Sequence, residues 1–131
     1  MIILDTCILI FDALAPERLS SKALRAIEED EQNGRLACAD ISLWEIAMLI
    51  GKGRLDPGTD CGTFIDLVLA ARGIRTIPVT PGIACLSVSH SGFAHYDPAD
   101  RLIAATTINA GGALVTCDER LLGLKGLKTI W

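Results

Sequence analysis

DPADRLIAATTINAGGALVTC, residues 97–117, holds a helix and a strand end to end. Asp97 stands where an N-cap belongs, Pro98 takes the first helical position, and Gly111-Gly112 make the stop, an arrangement that helices favour. After Asp97 and Asp100 the only charge in this helix is Arg101. ALVTC, 113–117, follows as a short uninterrupted apolar run, which suits a strand covered on both faces. A helix this apolar has little surface to show. It needs a sheet on one side and other helices beside it.

The same alternation extends outward in both directions. MIIL, 1–4, reads as a buried strand, and the pattern after it as a short helix ending near Pro16. SSKALRAIEEDEQNG, 20–34, has helical periodicity and closes on Gly34. RLACAD, 35–40, is a second strand, ISLWEIAMLIGKG, 41–53, a helix, and TFIDLVLAARG, 63–73, another. IRTIPV, 74–79, is a third strand, and PGIACLSVSHS, 81–91, a helix. After ALVTC come a short helix in DERLLGL and an edge strand in LKTIW. The expectation is one α/β domain over residues 1–131: three layers, α/β/α, around a mainly parallel sheet of four or five strands.

Composition agrees. Half of the 131 residues are hydrophobic and 21% are charged, as in a folded soluble protein. The net charge of −4 argues against a nucleic-acid binder held by bulk positive charge, but not against a nucleic-acid enzyme whose acids hold a metal. The five cysteines, at 7, 38, 61, 85 and 117, are odd in number and widely spaced, with no CxxC. A reducing cytoplasmic setting suits them, and no signal peptide or membrane span is expected. Cys7 and Cys117 are read as small packing residues. His90 and His95 with Cys85 are too sparse for a zinc site.

The acids then line up. Asp5 follows the first strand, Glu45 is read in the first turn of the helix after the second, Asp97 and Asp100 open the 97–112 helix, and Asp118 follows ALVTC. In an open parallel sheet the carboxyl ends of the strands share one edge, where ligands bind. Each acid also has a plain structural reading. Asp5, Asp97 and Asp118 suit N-caps, and Ser42-Leu43-Trp44-Glu45 fits a capping box. Several carboxylates at one edge repel one another, and a hard divalent cation relieves that conflict. Asp97 is therefore assigned to capping and Asp100 to chemistry. Arg101, Arg120, Lys52 and Arg54 are read either as solvated charge or as contacts to a phosphate backbone.

LDTCILI, ISLWEIAMLIGKGRL, DPADRLIAAT and LVTCDERL together resemble the PIN-domain ribonucleases, and most closely the VapC-type toxins of bacterial toxin–antitoxin pairs. The resemblance runs from Leu4 to about Leu122. It implies a four-acid catalytic site of Asp5, Glu45, Asp100 and Asp118, with Thr6 and Thr116 as flanking hydroxyls. It also implies Mg²⁺ or Mn²⁺ dependence, RNA cleavage, homodimers and a small antitoxin partner. Asp5, Asp100 and Asp118 are the expected metal ligands. The partner is expected on apolar helix surface near residues 8–14 and 41–50, with a basic side chain reaching toward the acids. A homodimer interface accounts for the same surplus of apolar side chains.

Other readings compete. A phosphotransfer enzyme with a nucleophilic Asp5 usually needs a second Asp two positions on, where Cys7 stands. A serine hydrolase lacks its G-x-S-x-G motif. An inactive RNA- or protein-binding module of the same fold has no reason to keep all four acids. A housekeeping RNA-processing nuclease would share the site.

Overall fold

The structure is a computed structural model describing residues 1–131. Five short strands form one sheet: β1 (Ile2–Leu4), β2 (Leu36–Ala39), β3 (Arg75–Ile77), β4 (Ala113–Val115) and β5 (Thr129–Ile130). Their order is β3-β2-β1-β4-β5, and every pairing is parallel. The expected α/β sheet is thus wholly parallel and five-stranded.

Seven α-helices connect and cover it: α1 (Thr6–Leu14), α2 (Ser21–Gln32), α3 (Ile41–Gly51), α4 (Cys61–Arg72), α5 (Pro81–Ser89), α6 (Pro98–Asn109) and α7 (Glu119–Leu122). None is long and apolar enough to cross a membrane. α4 begins two residues earlier than its hydrophobic period suggests. Asp60 caps it by accepting a hydrogen bond from the Thr63 amide at 2.9 Å. Gly73 closes it in the left-handed conformation at φ +63°.

The strands alternate between two cores, as the two-residue period of a strand requires. Ile2, Leu4, Leu36, Cys38 and Val115 face a layer that includes Ile8, Leu9, Ile27, Ile46, Phe64 and Val68. Ile3, Ala37, Ala39 and Leu114 face the opposite layer, with Ile83, Ile103, Ala104 and Leu121. Burial on both faces explains why β1, β2 and β4 read as unbroken apolar runs, while the edge strands β3 and β5 are exposed or half-buried. Burial also explains α6. Seven of its residues are buried: Ala99, Asp100, Ile103, Ala104, Ala105, Thr106 and Thr107. Thr106 and Thr107 silence their hydroxyls by donating to the carbonyls of Leu102 and Ile103, at 2.7 and 2.9 Å.

The strand order positions the site. From β1 the chain winds outward through β2 to β3, then returns to the other side of β1 for β4 and β5. The connections leave the carboxyl ends of β1 and β4 in opposite directions and open a crevice between them. Asp5 follows β1 directly. Thr116, Cys117 and Asp118 follow β4.

Candidate active site

Asp5 is the N-cap of α1. Its Oδ1 accepts from the Thr6 amide at 2.8 Å, while Oδ2 accepts from the fully buried Thr116 hydroxyl at 2.6 Å. Asp5 therefore caps α1 with one oxygen while its other oxygen is held by Thr116, just past β4. The Thr116 hydroxyl in turn accepts from the Asp118 amide at 3.0 Å, fixing the turn that carries Asp118. Asp118 caps α7 through the Arg120 amide at 2.9 Å.

Asp97 caps α6 by accepting from the Asp100 amide at 3.0 Å. Asp100, third residue of α6, is buried and is left to face the crevice. That bond engages Asp97 in capping and leaves the Asp100 carboxylate unused by the cap.

Glu45 departs from the sequence reading. It lies in the second turn of α3, not the first, and Ser42 does not cap that helix. Asp40 stands at the cap position with helical dihedrals and no side-chain capping bond. The Thr6 hydroxyl donates to Glu45 Oε1 at 2.5 Å and lies 2.9 Å from the Ser42 hydroxyl. Ser42 is fully buried beneath the pair. The S-x-x-E spacing thus serves a link between α1 and α3. Ser42 thus packs against Thr6 rather than capping α3.

Asp5, Glu45, Asp100 and Asp118 line one cavity of about 330 Å³, together with Thr6, Cys7, Cys117, Ile10 and Leu49. A larger cavity of about 510 Å³ lies over α1 and α4 and is lined by Asp12, Glu31, Phe64, Leu67 and Arg72. Its charges are spent on each other: Arg72 donates to Asp12 at 2.8 Å and to Glu31 at 2.7 Å. The smaller cavity sets four acids against a single cation, Arg120.

The electrostatics mark it as well. Burial, then the charges of Asp97, Asp118 and Asp5, push the Asp100 carboxyl up to about 7, with Arg120 opposing. Burial raises Asp5 too, against its bonds from Thr116 and Thr6. Burial also raises Glu45, with the Thr6 bond opposing and the Asp5 and Asp97 charges adding. Arg120 is the only cation in contact with these acids, its guanidinium 3.2 Å from Asp100 Oδ2 and 3.6 Å from Asp118 Oδ2. Arg120 is thus neither freely solvated nor remote from the acids. Arg101 turns away instead and donates to the carbonyls of Tyr96 and Ala94 at 2.8 and 3.0 Å, clasping the loop before α6.

These shifts carry a stability consequence. Asp100 binds a proton more tightly when folded than when unfolded, where an aspartate titrates at about 3.9. Its contribution to stability is therefore present below the unfolded value and lost as pH rises through about 7. Asp5 and Glu45 act in the same direction. Thermal midpoints of wild type and Asp100→Asn, measured across that range, should diverge with rising pH in favour of the Asn variant. A pH-independent difference would show that Asp100 titrates normally.

All donors offered by the acids and threonines are oxygens, which suits a hard divalent cation, and a bound cation would offset the crowding that raises Asp100. As the side chains stand, no group of three or more His, Cys, Asp or Glu is arranged to hold a metal ion.

The chain is similar to known proteins over nearly its whole length. Residues 2–127 match the PIN domain family. Ribonuclease VapC22 of Mycobacterium tuberculosis is 36% identical over 120 residues, covering 92% of this chain and 88% of that protein. Among solved structures, VapBC2 from Rickettsia felis, bound to a DNA fragment from its promoter, superposes with a TM-score of 0.73 at 18% identity, covering 98% of this chain and 97% of that one. FitAB bound to an IR36 DNA fragment superposes at 0.61 with 19% identity, covering 98% and 93%. With the family model spanning nearly the whole chain, and a VapC relative matching it over the same stretch, the chain belongs to the PIN-domain family, among its VapC-type members.

Proposed function

We propose that this chain is a divalent-metal-dependent ribonuclease that cleaves RNA phosphodiester bonds at Asp5, Glu45, Asp100 and Asp118, and that it acts as the toxin of a toxin–antitoxin pair. The observation that carries the reading is the meeting of four acids in one crevice at the carboxyl ends of β1 and β4. The name of the VapC22 relative supports the reaction, and the complexes among the structural neighbours support a protein partner.

Asp5, Asp100 and Asp118 would hold Mg²⁺ or Mn²⁺. When bound, the ion supplies charge stabilisation at the phosphoryl oxygens and a more acidic water. The protein's own part is positional. Thr116 fixes Asp5 and the Asp118 turn through its single hydroxyl. Thr6 aims Glu45, whose raised proton affinity suits it to receive a proton from the attacking water. Ile10 and Leu49 give the crevice its apolar wall. Purified chain incubated with RNA should cut at discrete sites with Mg²⁺ or Mn²⁺ and stop on chelation. Cutting that persists in chelator would overturn the metal assignment, and no cutting under any condition would overturn the nuclease reading.

Arg120 and the ion compete for the same oxygens. Its side chain is 60% exposed, so the pairing with Asp100 and Asp118 is weak and displaceable. Arg120→Ala should therefore tighten Mn²⁺ binding, measured by calorimetry, by up to about fivefold, the equivalent of about 1 kcal/mol for an exposed pair. Unchanged affinity would mean that the guanidinium does not overlap the ion's position.

The surface offers places for partners. Within 8–14, Ile8 and Leu9 are buried while Leu14 is 45% exposed; within 41–50, Ile46 is buried while Trp44 is 55% exposed. The apolar surplus of these two stretches is thus partly absorbed by the core. The exposed remainder is where an antitoxin or a second copy would bind.

A further inference from the structure

We propose that Cys7 and Cys117 form a redox-closing thiol pair, oxidised by a hydroperoxide to a disulfide across the acid crevice and reopened by a dithiol. Their sulfurs lie 3.5 Å apart, although 110 positions separate them in sequence. Both thiols are free, half-buried, and line the cavity that holds the four acids. Closing the bond draws the sulfurs to about 2.0 Å, a small movement for two side chains already in contact. The remaining cysteines are placed elsewhere: Cys38 is buried in β2, Cys61 opens α4 and Cys85 lies on α5.

The chemistry balances with a hydroperoxide as oxidant. One thiolate attacks the peroxide, the O–O bond breaks, an alcohol or water leaves, and a sulfenic acid forms. The second sulfur attacks that sulfur, the S–S bond forms, and the S–O bond breaks. Hydroxide departs with the second thiol's proton as water. Two thiols and one hydroperoxide thus give one disulfide, one alcohol or water, and one water. Exchange with a dithiol restores both thiols and leaves the dithiol oxidised.

The position of the pair gives the bond a consequence. Cys7 is the second residue of α1, and its sulfur touches Asp5 Oδ2 at 3.7 Å. Cys117 lies between Thr116, which holds Asp5, and Asp118. A bond between them ties the segment carrying Asp5 to the one carrying Asp118. It also pulls the Cys7 sulfur from its place beside Asp5. That effect on cleavage rests on the nuclease reading above, whereas the linkage itself does not.

The test treats the full-length wild-type protein with hydrogen peroxide, followed by peptide mapping without reduction and by RNA cleavage. The expected product is a Cys7–Cys117 linked peptide, with intact mass lower by two hydrogens, which disappears on dithiothreitol treatment. Cleavage should fall by about a hundredfold in the oxidised form, the scale set by a misplacement of about 1 Å in an active site, and recover on reduction. Cys7→Ser and Cys117→Ser should give no intramolecular linkage. Over-oxidised Cys117 with Cys7 still a free thiol would overturn the pairing. A linked protein that cleaves as fast as the reduced one would overturn the closing role. If the reduced protein cuts no RNA, the nuclease reading fails while the linkage result stands.

Discussion

Asp100→Asn is expected to fold at least as stably as the wild type at neutral pH and to lose about a thousandfold in metal-dependent RNA cleavage, because a lost ligand removes several kcal/mol of charge stabilisation. The two halves of that result share one cause. The Asp100 carboxyl is buried and surrounded by the charges of Asp97, Asp118 and Asp5, which push it up to about 7. A neutral amide of the same shape removes the repulsion and cannot replace the anionic ligand. Asp97→Asn is the matched control. Its side chain accepts from the Asp100 amide at 3.0 Å, and Asn caps about as well as Asp. It should keep most of the activity and lose little stability. Cleavage rates and thermal midpoints for the pair check this. Equal loss of activity in both variants would mean that Asp97 also acts on the ion, and the division between the two acids would fall.

Gly112→Ala is expected to destabilise the fold by about 1–3 kcal/mol, the range for overpacking a close contact. A Cβ at residue 112 would sit 2.6 Å from the Met1 carbonyl oxygen, which is backbone and cannot swing aside. The same carbonyl accepts from the Ala113 amide at 3.2 Å, at the start of the β1–β4 pairing. Relieving the clash pushes apart the two strands whose far ends carry Asp5 and Thr116. Cleavage should therefore fall along with stability, at a temperature where the variant is still folded. Gly51→Ala makes the contrast. It meets nothing within 4 Å at the end of α3 and should be neutral or slightly stabilising. Denaturant unfolding of both variants decides the matter. Equal stability would show that β1 and β4 tolerate separation at that end.

Whatever depends on neighbours within a turn or on the strand period is legible in the amino-acid order. Apolar runs with no polar alternation require strands covered on both faces. Asp5, Asp97 and Asp118 are legible as caps because each bonds an amide one to three residues away. The element order and the acids at strand ends are legible for the same reason, whereas α4 starts ahead of its apolar period because Asp60 caps it there. Contacts between different elements around the acids are set by the tertiary structure. Thr6 meets Glu45 across 39 positions, and Thr116 meets Asp5 across 111. Arg120 settles between Asp100 and Asp118, and Cys7 meets Cys117. S-x-x-E on α3 has the spacing of a cap, yet its Ser and Glu turn toward Thr6 on α1. Spacing along the chain says which side chains share a turn. Only the crossover that sets β4 beside β1 brings side chains more than a hundred residues apart within reach of a hydrogen bond.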